Sequence, residues 1–188
     1  TPKLPPWMSI VGQIIVGPGA DLSGFDFSGM NLNGVNLGST NLDGANLADA
    51  VFSDASVQHF SGTPASLPPK WHLLGGYLLG PGVDLSQDSL VGLDLSGFDL
   101  SGCTTSETSL QGTNLNGTIF TQCRFEGIVS GGIVGDPVGL PPNWQLAGGY
   151  LIGPGAALVQ ATLDGLDLRG AHLSGARIIA ASLSGADL

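Results

Sequence analysis

Residues 20–49 read ADLSG FDFSG MNLNG VNLGS TNLDG ANLAD, six successive blocks in which the third residue is always Leu or Phe. The large residues are Leu22, Phe27, Leu32, Leu37, Leu42 and Leu47, and the series runs on through Phe52 and Val57 without a phase slip. Two residues before each sits a second inward candidate, usually smaller. Between the two lies Asp or Asn: Asp21, Asp26, Asn31, Asn36, Asn41 and Asn46. A spacing of five fits neither an α-helix nor a plain strand. It does fit a short extended piece followed by a bend. In the extended piece residues two apart share a face, so the small residue and the Leu point inward and the Asp or Asn points to solvent. The Ser-Gly, Asn-Gly or Asp-Gly remainder supplies the turn.

The same phase governs two further runs. One holds Leu85, Leu90, Leu95, Leu100, Leu110, Leu115, Phe120 and Phe125, with Thr105 as the exception. The other holds Leu158, Leu163, Leu168, Leu173, Ile178, Leu183 and Leu188. Stretches such as Ala45-Asn46-Leu47-Ala48-Asp49 and Ala186-Asp187-Leu188 resemble the pentapeptide-repeat family, whose consensus is Ala-(Asp/Asn)-Leu-x-x. The resemblance implies an all-β fold, a right-handed quadrilateral parallel β-helix with about twenty residues per coil. Residues twenty apart then stack on successive coils, Leu22 under Leu42 and Phe27 under Leu47, roughly 4.8 Å apart.

A longer repeat lies above the short one. Leu4-Pro5-Pro6 leads to Gly17-Pro18-Gly19, Leu67-Pro68-Pro69-Lys70-Trp71 to Gly80-Pro81-Gly82, and Leu140-Pro141-Pro142-Asn143-Trp144 to Gly153-Pro154-Gly155. Each opener is read as an atypical coil marked by Trp71, Tyr77, Trp144 and Tyr150, with one strand around Trp71 and Leu73 and a second at Tyr77, Leu78 and Leu79; a separate mini-domain is the alternative. The expected organisation is one continuous β-helix of three super-repeats, 1–62, 63–135 and 136–188. The chain stops in mid-repeat, which suggests an excerpt of a longer repeat protein or a subunit that stacks end to end.

Composition narrows the function classes. The formal net charge is −10, with only 5 Lys plus Arg, which argues against a nucleic-acid partner. No apolar run approaches the roughly 20 residues of a membrane helix, so membrane insertion is not expected. No cofactor motif appears: the Gly-Pro-Gly corners lack the Gly-Lys-Ser/Thr of a phosphate loop, and the Asp/Asn column lacks the nine-residue calcium repeat. No metal, small-molecule substrate or catalytic constellation is expected. His59, His72 and His172 share no deducible face. Asn116-Gly117-Thr118 is a formal glycosylation sequon, a pattern short enough to arise by chance.

Cys103 and Cys123 both occupy the small inward position, twenty residues apart. A twenty-residue coil makes them vertical neighbours at roughly 4.8 Å, inside the roughly 4.4–6.8 Å that a disulfide tolerates. A disulfide and a stacked pair of thiols are both open. Asp88 also falls at an inward position. A buried carboxylate is costly, so a bulge over Ser86–Ser89 is expected to leave it solvated or bonded to turn amides.

The leading functional expectation is an extracellular or cell-surface structural rod of the bacterial type, a self-associating filament subunit or a segment of a long repeat protein, with itself as partner. The alternative is an acidic DNA mimic acting on a topoisomerase, as some family members do. An enzyme is not expected.

Overall fold

The computed structural model describes residues 8–52, 55 and 58–188. The Leu4-Pro5-Pro6 opener and Val57 lie outside the described residues. Among the described residues eight three-residue strands form: β1 (Ser9–Val11), β2 (Ile14–Val16), β3 (His72–Leu74), β4 (Tyr77–Leu79), β5 (Thr104–Ser106), β6 (Arg124–Glu126), β7 (Gln145–Ala147) and β8 (Tyr150–Ile152). Among the described residues there is no helix. The chain divides into two compact units, Thr1–Asp84 and Leu85–Leu188, so the boundary falls inside the second super-repeat.

Strand labels understate the order. Most pairing consists of single parallel bridges between outward residues of the pentads. In the first unit Asp21 pairs with Asn41, Asp26 with Asn46, Asn31 with Val51, and Asn41 with Ser61. In the second unit Ser89 pairs with Ser109 and then Val129, and Asp94 with Asn114 and then Val134. Every one of these steps is twenty residues. Backbone bonds alternate across each rung: Leu95 N–H donates to the Asn114 carbonyl, and Asn114 N–H donates to the Leu93 carbonyl. Each pentad thus needs its counterpart twenty residues away to satisfy its polar backbone.

The corner after each short extended piece is the fifth pentad position. Gly97 shows what it requires: φ is +73 and a Cβ added there would meet nothing within 4 Å. The glycine answers a backbone demand, not a space demand. Ser39, Asp49, Gln87, Glu107, Gln122, Gln160 and Ala180 hold the same left-handed conformation without that freedom.

Inside each unit the large pentad residues form ladders. Leu22, Phe27, Leu32, Leu37, Leu42 and Leu47 are buried in the first unit, and Leu95, Leu100, Leu115, Phe120, Leu163 and Leu168 in the second. Leu173 and Leu183, expected in the same ladder, are only half-buried, packed against the Leu158, Leu163 and Leu168 cluster. The exception Thr105 is buried as well, its hydroxyl donating to the Arg124 carbonyl at 3.2 Å.

Two expectations are corrected. Each opener described is an antiparallel hairpin and not an atypical coil: β3 pairs β4 with Leu73 opposite Leu78, and β7 pairs β8 with Leu146 opposite Leu151. The Gly-Gly steps at Gly75-Gly76 and Gly148-Gly149 have positive φ and close these ribbons tightly. The coil then resumes late, with Val129 bridging Ala157, eight residues beyond the usual register. No bulge forms at Asp88 either. Gln87 takes the ordinary corner conformation, Ser109 N–H donates to the Asp88 carbonyl at 2.9 Å, and the side chain turns inward to 4% exposure. The register of the ladder outweighs the solvation preference of one carboxylate, which keeps an interaction inside the fold although its Oδ2 accepts no hydrogen bond.

Ladder position should set the cost of truncation. Leu95→Ala, fully buried, is expected to lose about 2–5 kcal/mol in urea denaturation, and Leu183→Ala clearly less. Gly97→Ala should lose about 1–2 kcal/mol from backbone strain alone; a neutral result would show that the corner tolerates a Cβ.

Candidate functional site

The outward Asp/Asn column is the most regular polar feature. Its side chains fold back on their own turns: Ser23 N–H donates to Asp21 Oδ1 at 3.1 Å, Ser28 N–H to Asp26 Oδ1 at 3.0 Å, and Ser96 N–H to Asp94 Oδ1 at 3.1 Å. They also bind vertically, with Asn41 Nδ2 donating to Asp21 Oδ1 at 3.0 Å and Asn46 Nδ2 to Asp26 Oδ1 at 2.9 Å. The alternation matters, since an Asp stacked on an Asn gains a donor where a second Asp would bring repulsion.

These bonds hold the carboxyls below their usual range. The Ser23 side chain, then its backbone N–H, then Asn41 lower Asp21, and Ser28 and Asn46 do the same for Asp26. Ser96 and Asn114 lower Asp94. Arg169 hydrogen-bonds Asp167 through side chain and backbone and lowers it to about 2. Such a column is a solvated ladder whose Oδ1 atoms are engaged by its own turns and by the next rung.

The anchors of the openers act in packing. A Cβ on Gly80 would lie 2.4 Å from the Trp71 ring, and one on Gly153 would lie 2.3 Å from the Trp144 ring, so each indole lies flat against bare backbone. Trp71 meets Phe52 at 5.0 Å between centroids, and Trp144 meets Phe125 edge-on at 5.1 Å. Tyr77 lies 6.0 Å from the His59 ring, and the Tyr150 hydroxyl accepts Thr162 N–H at 3.2 Å.

Cys103 and Cys123 are both buried and not joined by a disulfide. They flank the parallel strands β5 and β6, where Arg124 N–H donates to the Cys103 carbonyl at 2.8 Å. The Cys123 thiol donates to the Leu100 carbonyl. The inward threonines behave alike: Thr108 and Thr118 hydroxyls donate to the Leu85 and Leu95 carbonyls at 2.7 and 2.8 Å. Small polar side chains can therefore sit inside the coil, a tolerance that the apolar consensus conceals. The signal for it was the run of Thr at every small position from Thr108 to Thr118.

His59, His72 and His172 are exposed and separate, and among the described residues no three His, Cys, Asp or Glu converge as a metal site would require. Among the described residues no helix is long and apolar enough to cross a membrane. In the second unit a groove of about 480 Å³ is lined by Gly127, Gly155 and Gly175 together with Glu107, Glu126 and Arg177. Ser106 also lines it, beside the Glu107 and Glu126 carboxylates.

The pentapeptide repeats that define one family match this chain in eight copies, over residues 19–47, 31–59, 89–127 and 155–188, more than half of its length. The chain belongs to the pentapeptide-repeat family. Among solved structures it is similar to HetL, a pentapeptide repeat protein involved in heterocyst differentiation regulation from the cyanobacterium Nostoc sp. strain PCC 7120. The two share 18% identity over 89% of each chain, with a TM-score of 0.24, a superposition too poor to carry an argument. No curated protein matches the chain.

The lowered Asp pKa values fix the sign of the acid response. A carboxyl depressed in the folded state stabilises above its unfolded pKa, near 3.9, and loses that contribution as pH falls through the folded value. The melting temperature is therefore expected to fall below about pH 4 and to keep falling toward pH 2, where Asp167 titrates. Asp167→Asn should flatten the lowest part of that curve; an unchanged curve would show that the Arg169 contact is inert.

Proposed function

We propose that this chain is a non-enzymatic structural rod, a right-handed quadrilateral β-helix without cofactor, exported to the outside of a bacterial cell and associating end to end with copies of itself. The carrying observation is the regularity of the ladder: pentads pair in parallel at steps of twenty residues over a buried column of large side chains, so each rung offers the next the same backbone edge and apolar interior. Copies or further repeats that stack in this geometry extend both. The super-repeat of hairpin and pentads supports a modular rod of the secreted or surface type. The scarcity of Lys and Arg, 5 in all, leaves few sites for trypsin-like proteases, which suits an exposed fibre.

The acidic alternative, a DNA mimic that occupies a topoisomerase, is less well served by the surface. Its outward carboxylates are diluted, because Asp21, Asp26, Asp94 and Asp99 stack on Asn41, Asn46, Asn114 and Ile119 instead of on further acids. A phosphate-like series needs charge at regular close intervals.

Electron microscopy of the purified chain over a concentration series tests the rod reading. Continuous filaments that lengthen with concentration are expected. Discrete short rods at every concentration would overturn end-to-end association and direct attention to gyrase supercoiling assays.

A further inference from the structure

Cys103 and Cys123 have no part in the rod reading, yet the coil brings them together. They precede β5 and β6, which pair in parallel with Thr104 opposite Arg124 and Thr105 opposite Phe125. Arg124 N–H donates to the Cys103 carbonyl at 2.8 Å, so the ladder is in register at the cysteines themselves. Both residues are turned inward, at 0% and 6% exposure. Paired strands lie roughly 4.8 Å apart, and a disulfide spans Cα separations of roughly 4.4–6.8 Å. The Leu100 carbonyl accepts Cys103 N–H at 3.1 Å and the Cys123 thiol at 2.9 Å. One oxygen thus ties the Cys123 sulfur to the backbone of the rung that carries Cys103. Packing does not call for sulfur here, because the same small position is filled by Ala161 and Thr118 on other rungs.

The place in the coil gives a covalent tie a use. Around β6 the twenty-residue step is lost: Ile119 pairs with Val138 and Val129 with Ala157, because the third opener intervenes. Each rung of a solenoid is held by its neighbours alone, so a rung that borders an interruption gives up part of the support of regular stacking. Phe125, the large residue of this rung, is only half-buried and meets Trp144 of the opener edge-on at 5.1 Å. A bond from Cys123 back to Cys103 fastens that rung to the regular one before it.

We infer that Cys103 and Cys123 are a covalent cross-link site, closed to a disulfide as the chain folds in an oxidising medium. The reaction is thiol–disulfide exchange with a disulfide oxidant. The thiolate of one cysteine attacks a sulfur of the oxidant, giving a mixed disulfide and releasing one oxidant thiol. The other cysteine attacks the sulfur held by the first, the Cys103–Cys123 bond forms, and the second oxidant thiol leaves. The two cysteine protons end on those two thiols, and the electron pair removed from the cysteines reduces the oxidant. Burial sets the timing, since the closed rung shields both residues from oxidant before the bond forms and from reductant afterwards. That the medium is oxidising rests on the exported-rod reading; the capacity to form the bond does not.

Refolding the intact chain from urea in oxidised or in reduced glutathione tests it, with remaining thiols alkylated under denaturing conditions and counted by mass spectrometry. The oxidised native chain should lose both alkylatable thiols and carry no glutathione. Peptides cut at Glu107, between the two cysteines, should stay joined until reductant is added. Oxidised material should melt roughly 5–10 °C above reduced material. Cys103→Ala and Cys123→Ala should each abolish that difference, and the native chain alone decides the point should a variant fail to fold. Two alkylatable thiols after oxidative refolding, or two bound glutathiones, would overturn the cross-link. An internal bond that leaves the melting temperature unchanged would overturn the support assigned to it. None of these readouts requires association between copies, so this inference and the filament reading stand or fall separately.

Discussion

The parallel pairing of each pentad with the pentad twenty residues away is the constraint on which everything else hangs. A three-residue extended piece cannot satisfy its own N–H and C=O groups, and the corner that follows satisfies only one of them, as when Phe98 N–H donates to the Leu95 carbonyl. The remaining groups must reach the neighbouring rung. Once that register is set, the inward Leu column, the outward Asx column and the corner column each become vertical stacks. The hydrophobic ladder then stabilises a geometry that backbone bonding has already limited to one phase.

That constraint explains two departures from simple residue preference. Asp88 turns inward because moving it out would shift the register of every residue after it, and the burial of one carboxylate weighs less than that. The threonines at 108, 113 and 118 enter the core because a carbonyl of the large residue, on their own or the preceding rung, is within reach of each hydroxyl. At these three positions the ladder supplies a partner and avoids the cost of an unmet polar group, whereas the buried Thr40 hydroxyl makes no hydrogen bond.

The hairpins show how a repeat can be interrupted without being broken. The second and third leave the coil after a Pro-Pro step, lay an indole on a glycine, and return through a Gly-Pro-Gly corner. Ile119 pairs with Val138 one residue early and Val129 pairs with Ala157 eight residues late, so the slippage is confined to the turn that carries the insertion. Beyond it the twenty-residue step resumes with Ala157 and Arg177. Nearest-neighbour stacking makes this possible, because each rung contacts only the rungs beside it.

The sequence by itself determined the pentad phase, the inward and outward faces, the stacking of Cys103 beneath Cys123, and the existence of three equivalent openers. All of these follow from local spacing, which the chain carries explicitly in Leu, Asp/Asn and Gly. Only the tertiary structure decided that the openers are antiparallel hairpins, that Asp88 is buried, and that 171–188 is half-exposed. Those outcomes depend on what lies one rung away, and a linear pattern does not encode whether a neighbour is present to cover a given face.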